Sequence, residues 1–340
     1  MPIDNKRNPG ASVTLRDVAD AAGVSKSTVS RILDERLPRS DSASATRVRQ
    51  VAAELGYVRD ISAANLRRGK TSTIGVLVPS LAETVMGTFY EALVKACQKF
   101  GQFAIVATTN EDAAAERHAV NSLLARGVDG LILTTARIGD VVPSEIKAKG
   151  VPYVLALRTN GKGPASLGDD ELGGYLATRH LLDLGHRRIA IIAGRTYASS
   201  SVGRQRGYER AMSEAGFQPL DDWLVNTGFD FDDGAVAAAK LYGGAHRPTA
   251  IFAVNDNLAI GAMSWLEAHG LSVPADVSVV GYNDIPVVRH LAPPMTSVRV
   301  PFDHIASSAV ELLQLTLAEA ENEIRIASPT LIPRGSTSRL

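Results

Sequence analysis

Apolar positions recur at two different periods along this chain, and the change of period divides it. Over residues 13–57 the spacing is helical throughout. In VTLRDVADAAGVSKSTVSRIL, Leu15, Val18, Ala19 and Ala22 share one face of a first helix. Thr14 stands at its start with Asp17 three residues on, where a capping box places an acid. Gly23 falls where the chain must turn, because glycine takes positive φ without steric cost. Val24 can plug the angle, and Ser25 is a good cap for a second helix. In that helix Val29, Ile32 and Leu33 face inward, while Lys26, Ser27, Ser30 and Arg31 lie opposite. A third helix follows, with Val48, Val51, Ala52 and Leu55 at i, i+3, i+4 and i+7, closed by Leu55-Gly56-Tyr57.

Beyond residue 70 the texture changes. Short apolar runs at 73–78, 103–107, 130–133, 153–157, 189–193, 250–254 and 277–281 alternate with helix-like segments at 86–100, 112–126, 171–184, 203–215, 234–242 and 256–269. Alternation of this kind predicts parallel sheets with helices on both faces, doubly wound, with ligands at the carboxyl ends of the strands. About ten strands are too many for one compact sheet and suit two α/β subdomains facing a cleft.

Composition narrows the function classes. Hydrophobic residues make up 45% and charged residues 21%, which excludes wholesale disorder and a fibrous fold. The polar residues 1–12, rich in Asn, Pro and Gly, predict disorder and carry no apolar core, so no secretory signal is expected. No apolar run approaches the roughly 20 residues of a membrane helix. Cys97 is the single cysteine, which excludes an internal disulfide and a multi-cysteine zinc site. A cytoplasmic protein without metal or cofactor is the expectation. The net charge of zero hides an asymmetry: residues 1–70 carry 13 Lys/Arg against 8 Asp/Glu, and the remainder carries 23 against 28. A basic head on an acidic body points to a polyanion contact confined to the head.

Two short helices with a tight glycine turn and a polar second helix make the geometry that lays a recognition helix in the major groove of double-stranded DNA. Lys26 and Arg31 suit guanine O6/N7 and Ser27 suits either base type, whereas Thr28 and Ser30 suit phosphate contact or packing. Thr14 and Ser25 complete the candidate DNA-contacting set, and Arg36 and Arg39 in the following loop suit phosphates. The same pattern also suits a small helical domain that packs on a partner protein. Enzymatic signatures are missing: there is no GxGxxG, P-loop, HExxH or GxSxG, and His118, His180 and His186 read as packing or surface residues. The chain is therefore not expected to be an enzyme.

The runs TLRDVADAAGVSKSTVSRIL, LGYVRDISAANLRRGKTSTIGVLVPSL, LLDLGHRRIAIIAG, RQRGYERAM, AIFAVNDNLAIGAM, DVSVVGYNDIPV and PPMTSVRVP occur in order, and together they resemble the LacI/GalR family of bacterial transcription regulators from about residue 13 to 335. The resemblance implies a homodimer on a palindromic operator, with affinity controlled by a small-molecule effector. The expected function is a repressor of carbohydrate-related genes that senses a sugar or sugar acid. It implies a helix-turn-helix domain over 13–59, a hinge over 60–70, and a periplasmic-binding-protein-like core over 71–340. The core divides into subdomains of 71–168 plus 299–325 and 169–298 plus 326–335.

In the hinge, the resemblance places Ala63, Ala64, Asn65, Leu66 and Arg67 in a short helix in the minor groove. Leu66 is the wedge that kinks the duplex. Arg59-Asp60 departs from the family pattern, and a basic linker without DNA contact is the alternative.

The implied effector-binding residues are Ser80, Arg158, Arg204, Phe229, Asn255 and Asn283, with Glu83 and Met86 also lining the cleft. Structural alternatives are a helix cap for Asp256, a turn for Asp284 and a surface ion pair for Arg204. Arg158 with Arg204, and Asn283 where sugar repressors of the family often carry Asp, predict a positive pocket and an anionic effector, unless Asp169, Asp170 or Glu171 neutralise it. The rival function is an exported solute-binding protein with the same core fold, which would lack the head.

Overall fold

The computed structural model describes residues 13–34, 38–58, 71–315 and 323–340. The chain divides into two compact units, Met1–Thr71 and Ser72–Leu340. The expected disordered 1–12 and hinge 60–70 lie outside the described residues.

The first unit holds α1 (Leu15–Ala22), α2 (Lys26–Ile32) and α3 (Ala43–Glu54). Thr14 and Asp17 form a reciprocal capping box: the Thr14 N–H donates to Asp17 Oδ2 at 2.8 Å and the Asp17 N–H to Thr14 Oγ1 at 3.4 Å. Gly23 takes φ 70°, and the Val24 N–H donates back to the Ala19 carbonyl at 3.0 Å. This left-handed residue stops α1 and turns the chain. Val18, Ala19, Val29 and Val48 are buried at the centre, with Val24, Ile32, Leu33, Leu55 and Tyr57 packed around them.

In chain order the second unit contains β1 (Thr73–Val78), α4 (Thr84–Lys99), β2 (Phe103–Thr108), α5 (Ala113–Ala125), β3 (Gly130–Leu133), α6 (Val142–Ala148), β4 (Tyr153–Ala156), β5 (Ala165–Gly168), α7 (Asp170–Asp183), β6 (Ile189–Ala193), α8 (Ser199–Glu214), β7 (Leu224–Asn226), α9 (Phe231–Gly243), β8 (Ala250–Ala253), α10 (Asp256–Ala268), β9 (Ser278–Asn283), β10 (Thr296–Arg299), α11 (Phe302–Gln314), β11 (Ile324–Ala327) and β12 (Thr330–Ile332). The first sheet runs β11-β5-β4-β3-β1-β2, all parallel. The second runs β12-β10-β9-β8-β6-β7, parallel except for β12 against β10. Central strands such as β1, β6 and β9 are buried almost end to end, which is why they read as continuous apolar runs rather than alternating ones. The chain passes between the subdomains three times: from β5 to α7, from β10 to α11, and from β11 to β12.

The seven expected strands end within two residues of the observed ones. Two of the differences place side chains. Leu157 takes φ 64°, so β4 stops at Ala156 and Arg158 turns out of the sheet. β9 runs on to Asn283, which puts that residue at the strand's carboxyl end. β5, β7, β10, β11 and β12 had no counterpart among the expected strands, because three or four residues carry too little periodicity to stand out. Helices α6 and α11 were likewise unread; α11 belongs to the first subdomain through its packing on α4.

Glycine decides one helix pair. A Cβ at Gly174 of α7 would collide with the carbonyl oxygen of Arg204, and one at Gly207 of α8 with that of Glu171. Without side chains there, α7 and α8 approach closely enough to press Asp170 against Arg204.

Candidate functional site

In the first unit, the turn chemistry around Ser25 sets the register of α2. Ser25 Oγ accepts from the Thr28 N–H at 3.2 Å and lies 2.9 Å from Thr28 Oγ1 and 2.8 Å from Ser27 Oγ. Thr28 is thereby tied to the cap and half-buried. Lys26, Ser27 and Arg31 are exposed on the side away from Val29, and Ser30 is half-buried between them. These four residues line one groove together with Thr14 and Arg16. Arg16 was missed in the sequence; its signal was a cation two residues beyond the Thr14 cap, on the polar side of α1. Ala63, Leu66 and Arg67, and with them Arg36 and Arg59-Asp60, lie outside the described residues.

In the second unit a small cavity, about 50 Å³, opens between the subdomains. Of the six effector candidates, Arg158, Arg204, Phe229, Asn255 and Asn283 line it, and so do Glu83 and Met86. Ser80 does not: its Oγ accepts from the Ala82 N–H at 3.2 Å, so the hydroxyl stabilises the turn after β1.

Each arginine in the cavity is paired with a carboxylate. Arg158 Nη1 donates to Glu111 Oε1 at 2.8 Å, and its guanidinium lies 5.0 Å from the Phe229 ring centroid. Arg204 Nε donates to Asp170 Oδ1 at 2.8 Å, Nη1 donates to the Val254 carbonyl at 2.6 Å, and the guanidinium stacks 3.8 Å from the Tyr282 centroid. The expected surplus of positive charge is therefore absent, because Glu111 and Asp170 cancel it. Arg204 is also no surface ion pair, since both it and Asp170 are largely buried. Glu83 adds a third acid, whose pKa is raised by burial against the lowering pull of Arg158, with Glu111 and Asp230 raising it further.

Asn255, not Asp256, caps α10. Its Oδ1 accepts from the Leu258 N–H at 2.7 Å, and its Nδ2 donates to the Phe229 carbonyl at 2.9 Å. Asp256 is fully buried and accepts from Ser297 Oγ at 2.6 Å and the Ile285 N–H at 2.8 Å. Burial pushes its pKa up to about 7, against the lowering effect of those hydrogen bonds. Asn257 was missed: it is buried, lines the cavity, and its Oδ1 has no hydrogen-bond partner among the described residues. Its signal was the third polar residue of Asn255-Asp256-Asn257. Phe302, also missed, reaches the cavity from the start of α11.

The cavity spans parts of the fold contributed before and after the chain crossings, and the groove of the first unit carries a capped, cationic second helix. Comparison with known proteins decides what such a chain is. Residues 14–60 match the family described as bacterial regulatory proteins, lacI family, and residues 178–337 match the periplasmic binding protein-like domain. The ribose operon repressor of Haemophilus influenzae is 33% identical over 95% of this chain and 98% of its own length. The chain belongs to the lacI family of bacterial regulatory proteins.

It is thus a DNA-binding transcriptional regulator. Another relative in the family, the HTH-type transcriptional repressor PurR of Vibrio campbellii, is 30% identical over 96% of this chain and 99% of its own length. Among solved structures, a Lac repressor bound to ONPG in the repressed state superposes with a TM-score of 0.85 at 29% identity, covering 96% of this chain and all of the other. A transcriptional regulator CelR–cellobiose complex gives 0.74 at 30% identity, covering 95% and 99%. The groove in the first unit lies within the lacI-family head, and a head of this kind does not favour the reading as a plain solute-binding protein. Among the described residues no helix is long and apolar enough to cross a membrane.

Proposed function

We propose that this chain is a cytoplasmic, homodimeric repressor that binds a palindromic operator and responds to a neutral sugar held in the cleft of its second unit. Arg31, Lys26 and Ser27 read base edges in the major groove, while Thr14, Arg16, Ser25, Thr28 and Ser30 hold phosphates or the packing beneath. Two copies meet successive grooves, which spaces the half-sites by about one helical turn or a multiple of it. Leu66, with Ala63 and Arg67, is proposed to enter the minor groove. Dimerisation through the core is supported by the apolar edge strand β2, where Phe103 is 72% and Ile105 42% exposed beside Phe100.

The observation that carries the choice of ligand is the pairing of both cavity arginines with carboxylates. A net anion would meet Glu83, Glu111 and Asp170 without an uncommitted cation to offset them. A polyhydroxy ligand instead finds amide edges on Asn257 and Asn283, each offering a donor and an acceptor, the remaining N–H and lone pair of the Asn255 amide, and an aromatic face on Phe229. A ribose operon repressor among the relatives, and related regulators bound to cellobiose, ONPG or ribose, agree with that chemistry. At about 50 Å³ the cavity holds one or two waters, far below the 300 Å³ or more of a ligand pocket. Entry of a sugar therefore requires the subdomains to separate, and the ligand changes operator affinity by binding the two arrangements unequally.

Thermal shift with neutral pentoses, hexoses and disaccharides against the matching sugar acids tests the ligand. Stabilisation by neutral sugars is expected; stabilisation by sugar acids alone overturns the reading. Selection of bound sequences from random duplexes tests the operator, with a two-fold symmetric site as the expected result.

A further inference from the structure

Asn283 and Asp284 form a strained pair. Asn283 takes φ 107° and Asp284 φ 54°, a region that side-chain-bearing residues rarely adopt. Asn283 faces the cavity and is 5% exposed. Asp284, next to it, points the other way and is held from three sides. Its N–H donates to Ser297 Oγ at 3.1 Å. Arg299 reaches Oδ2 with Nε at 2.8 Å and Nη2 at 2.7 Å. Arg334 Nη1 is ion-paired with Oδ1 at 2.6 Å. Burial raises the Asp284 pKa, but the two arginines outweigh it and the net shift is downward, so the carboxylate is charged.

The positions of those two arginines matter. Arg299 is the last residue of β10 and pairs laterally with Asn283 on β9 and Thr330 on β12. Directly after it the chain crosses to the first subdomain, and Val300 and Phe302 on that crossing line the cavity. Arg334 follows β12, the strand by which the chain returns from β11. A single buried carboxylate therefore fastens the cavity-facing residue to the start of one crossing, through a charge-assisted hydrogen bond from Arg299, and to the segment just beyond another, through an ion pair with Arg334.

We propose that Asp284 is a positioning residue that links ligand contact at Asn283 to the movement of the crossing segments. A ligand that turns Asn283 must turn the strained pair. Because Arg299 and Arg334 are held to the same carboxylate, the ends of β10 and β12 follow, and the angle between the subdomains changes with them. The linkage rests on the sugar-binding reading for its ligand, though not for its geometry.

The test uses the full-length Asp284→Asn protein, which keeps size and removes the charge. By hydrogen exchange without ligand, amides over 283–286, 299–302 and 331–335 are expected to exchange at least tenfold faster together, with β6 and β8 unchanged. Faster exchange confined to 283–286, or spread evenly over the whole subdomain, overturns the linkage and leaves Asp284 a local structural residue. With D-ribose as the probe, the wild-type ratio of operator Kd with and without saturating sugar is expected to fall to within twofold of one in the variant; an unchanged ratio also overturns it. If ribose and the remaining sugars of the thermal-shift panel fail to bind the wild type, the sugar reading falls, and the exchange pattern alone decides the linkage.

Discussion

Arg158 and Glu111 meet at 2.8 Å inside the cleft, and through that contact a residue of the β2–α5 loop sets the charge of the ligand pocket. Glu111 is the centre of a larger network: Tyr197 Oη donates to its Oε2 at 3.2 Å from the second subdomain, and Arg137 lies 3.8 Å from the same oxygen and 5.1 Å from the Tyr197 ring centroid. The Ile138 N–H donates to the Tyr197 carbonyl at 2.8 Å, and the Thr159 N–H to Ser199 Oγ at 2.8 Å. The contacts from Tyr197 and Ser199 join the two subdomains across the cleft. Glu111→Gln is expected to lower stability by about 2 kcal/mol, less than the loss of a fully buried pair because Glu111 keeps some solvent contact. It is also expected to shift ligand preference toward sugar acids by about tenfold, through the freed charge of Arg158. Melting curves and isothermal titration with a sugar and its acid check both; unchanged preference would separate Arg158 from ligand choice.

In the head, Arg31 and Arg16 line the same groove and are expected to behave differently. Arg31→Ala should cost about 1–3 kcal/mol on the preferred site and relax base choice at one position of each half-site. Arg16→Ala should weaken all duplexes alike and reduce the salt slope of log K by about one. Affinity measured on specific and scrambled duplexes across a salt series distinguishes the two. Equal losses and equal slopes for both variants would refute the division of roles.

Gly207→Ala adds a methyl group where α8 meets the backbone of α7. Overpacking of this kind costs about 1–3 kcal/mol. Because the same contact presses Asp170 against Arg204, sugar affinity should fall more steeply than stability predicts. Calorimetry of folding and of ligand binding on one preparation checks it, and a variant that binds normally despite a lower Tm would dissociate the helix contact from the site.

Asp256 supplies a pH dependence. Its folded pKa, pushed up to about 7, lies above the ordinary 3.8 of an unfolded aspartate. The folded state then holds the proton more tightly, so the contribution of this group is complete below pH 4 and is lost as pH rises through 7. The span corresponds to roughly 4 kcal/mol. His186 acts in the opposite sense: its pKa is lowered, first by burial, so its contribution is lost as pH falls through and below the usual histidine range. Comparing wild type with Asp256→Asn isolates the aspartate. The difference in unfolding free energy between the two should change in favour of the variant as pH rises from 5 to 8; a constant difference would mean that Asp256 stays charged throughout.

What could be read from the chain itself was set by neighbours a few residues apart. The caps at Thr14 and Ser25, the turn at Gly23 and the apolar faces of α1 to α3 depend on contacts within one helical turn, and so they were visible in VTLRDVADAAGVSKSTVSRIL. The same holds for buried strands such as β1 and β6, whose apolar runs are their own signature, and for the position of Asn255 and Asn283 just beyond strands. The state of the pocket depended on partners far away in sequence. Glu111 is 47 residues from Arg158, Asp170 is 34 from Arg204, and Ser297 is 41 from Asp256. No local period encodes such pairs. Packing of loops and helices brings them together, and with them it turned an apparently positive pocket into a balanced one, placed Ser80 in a turn outside the cavity lining, and gave the cap of α10 to Asn255 while burying Asp256 away from the cavity.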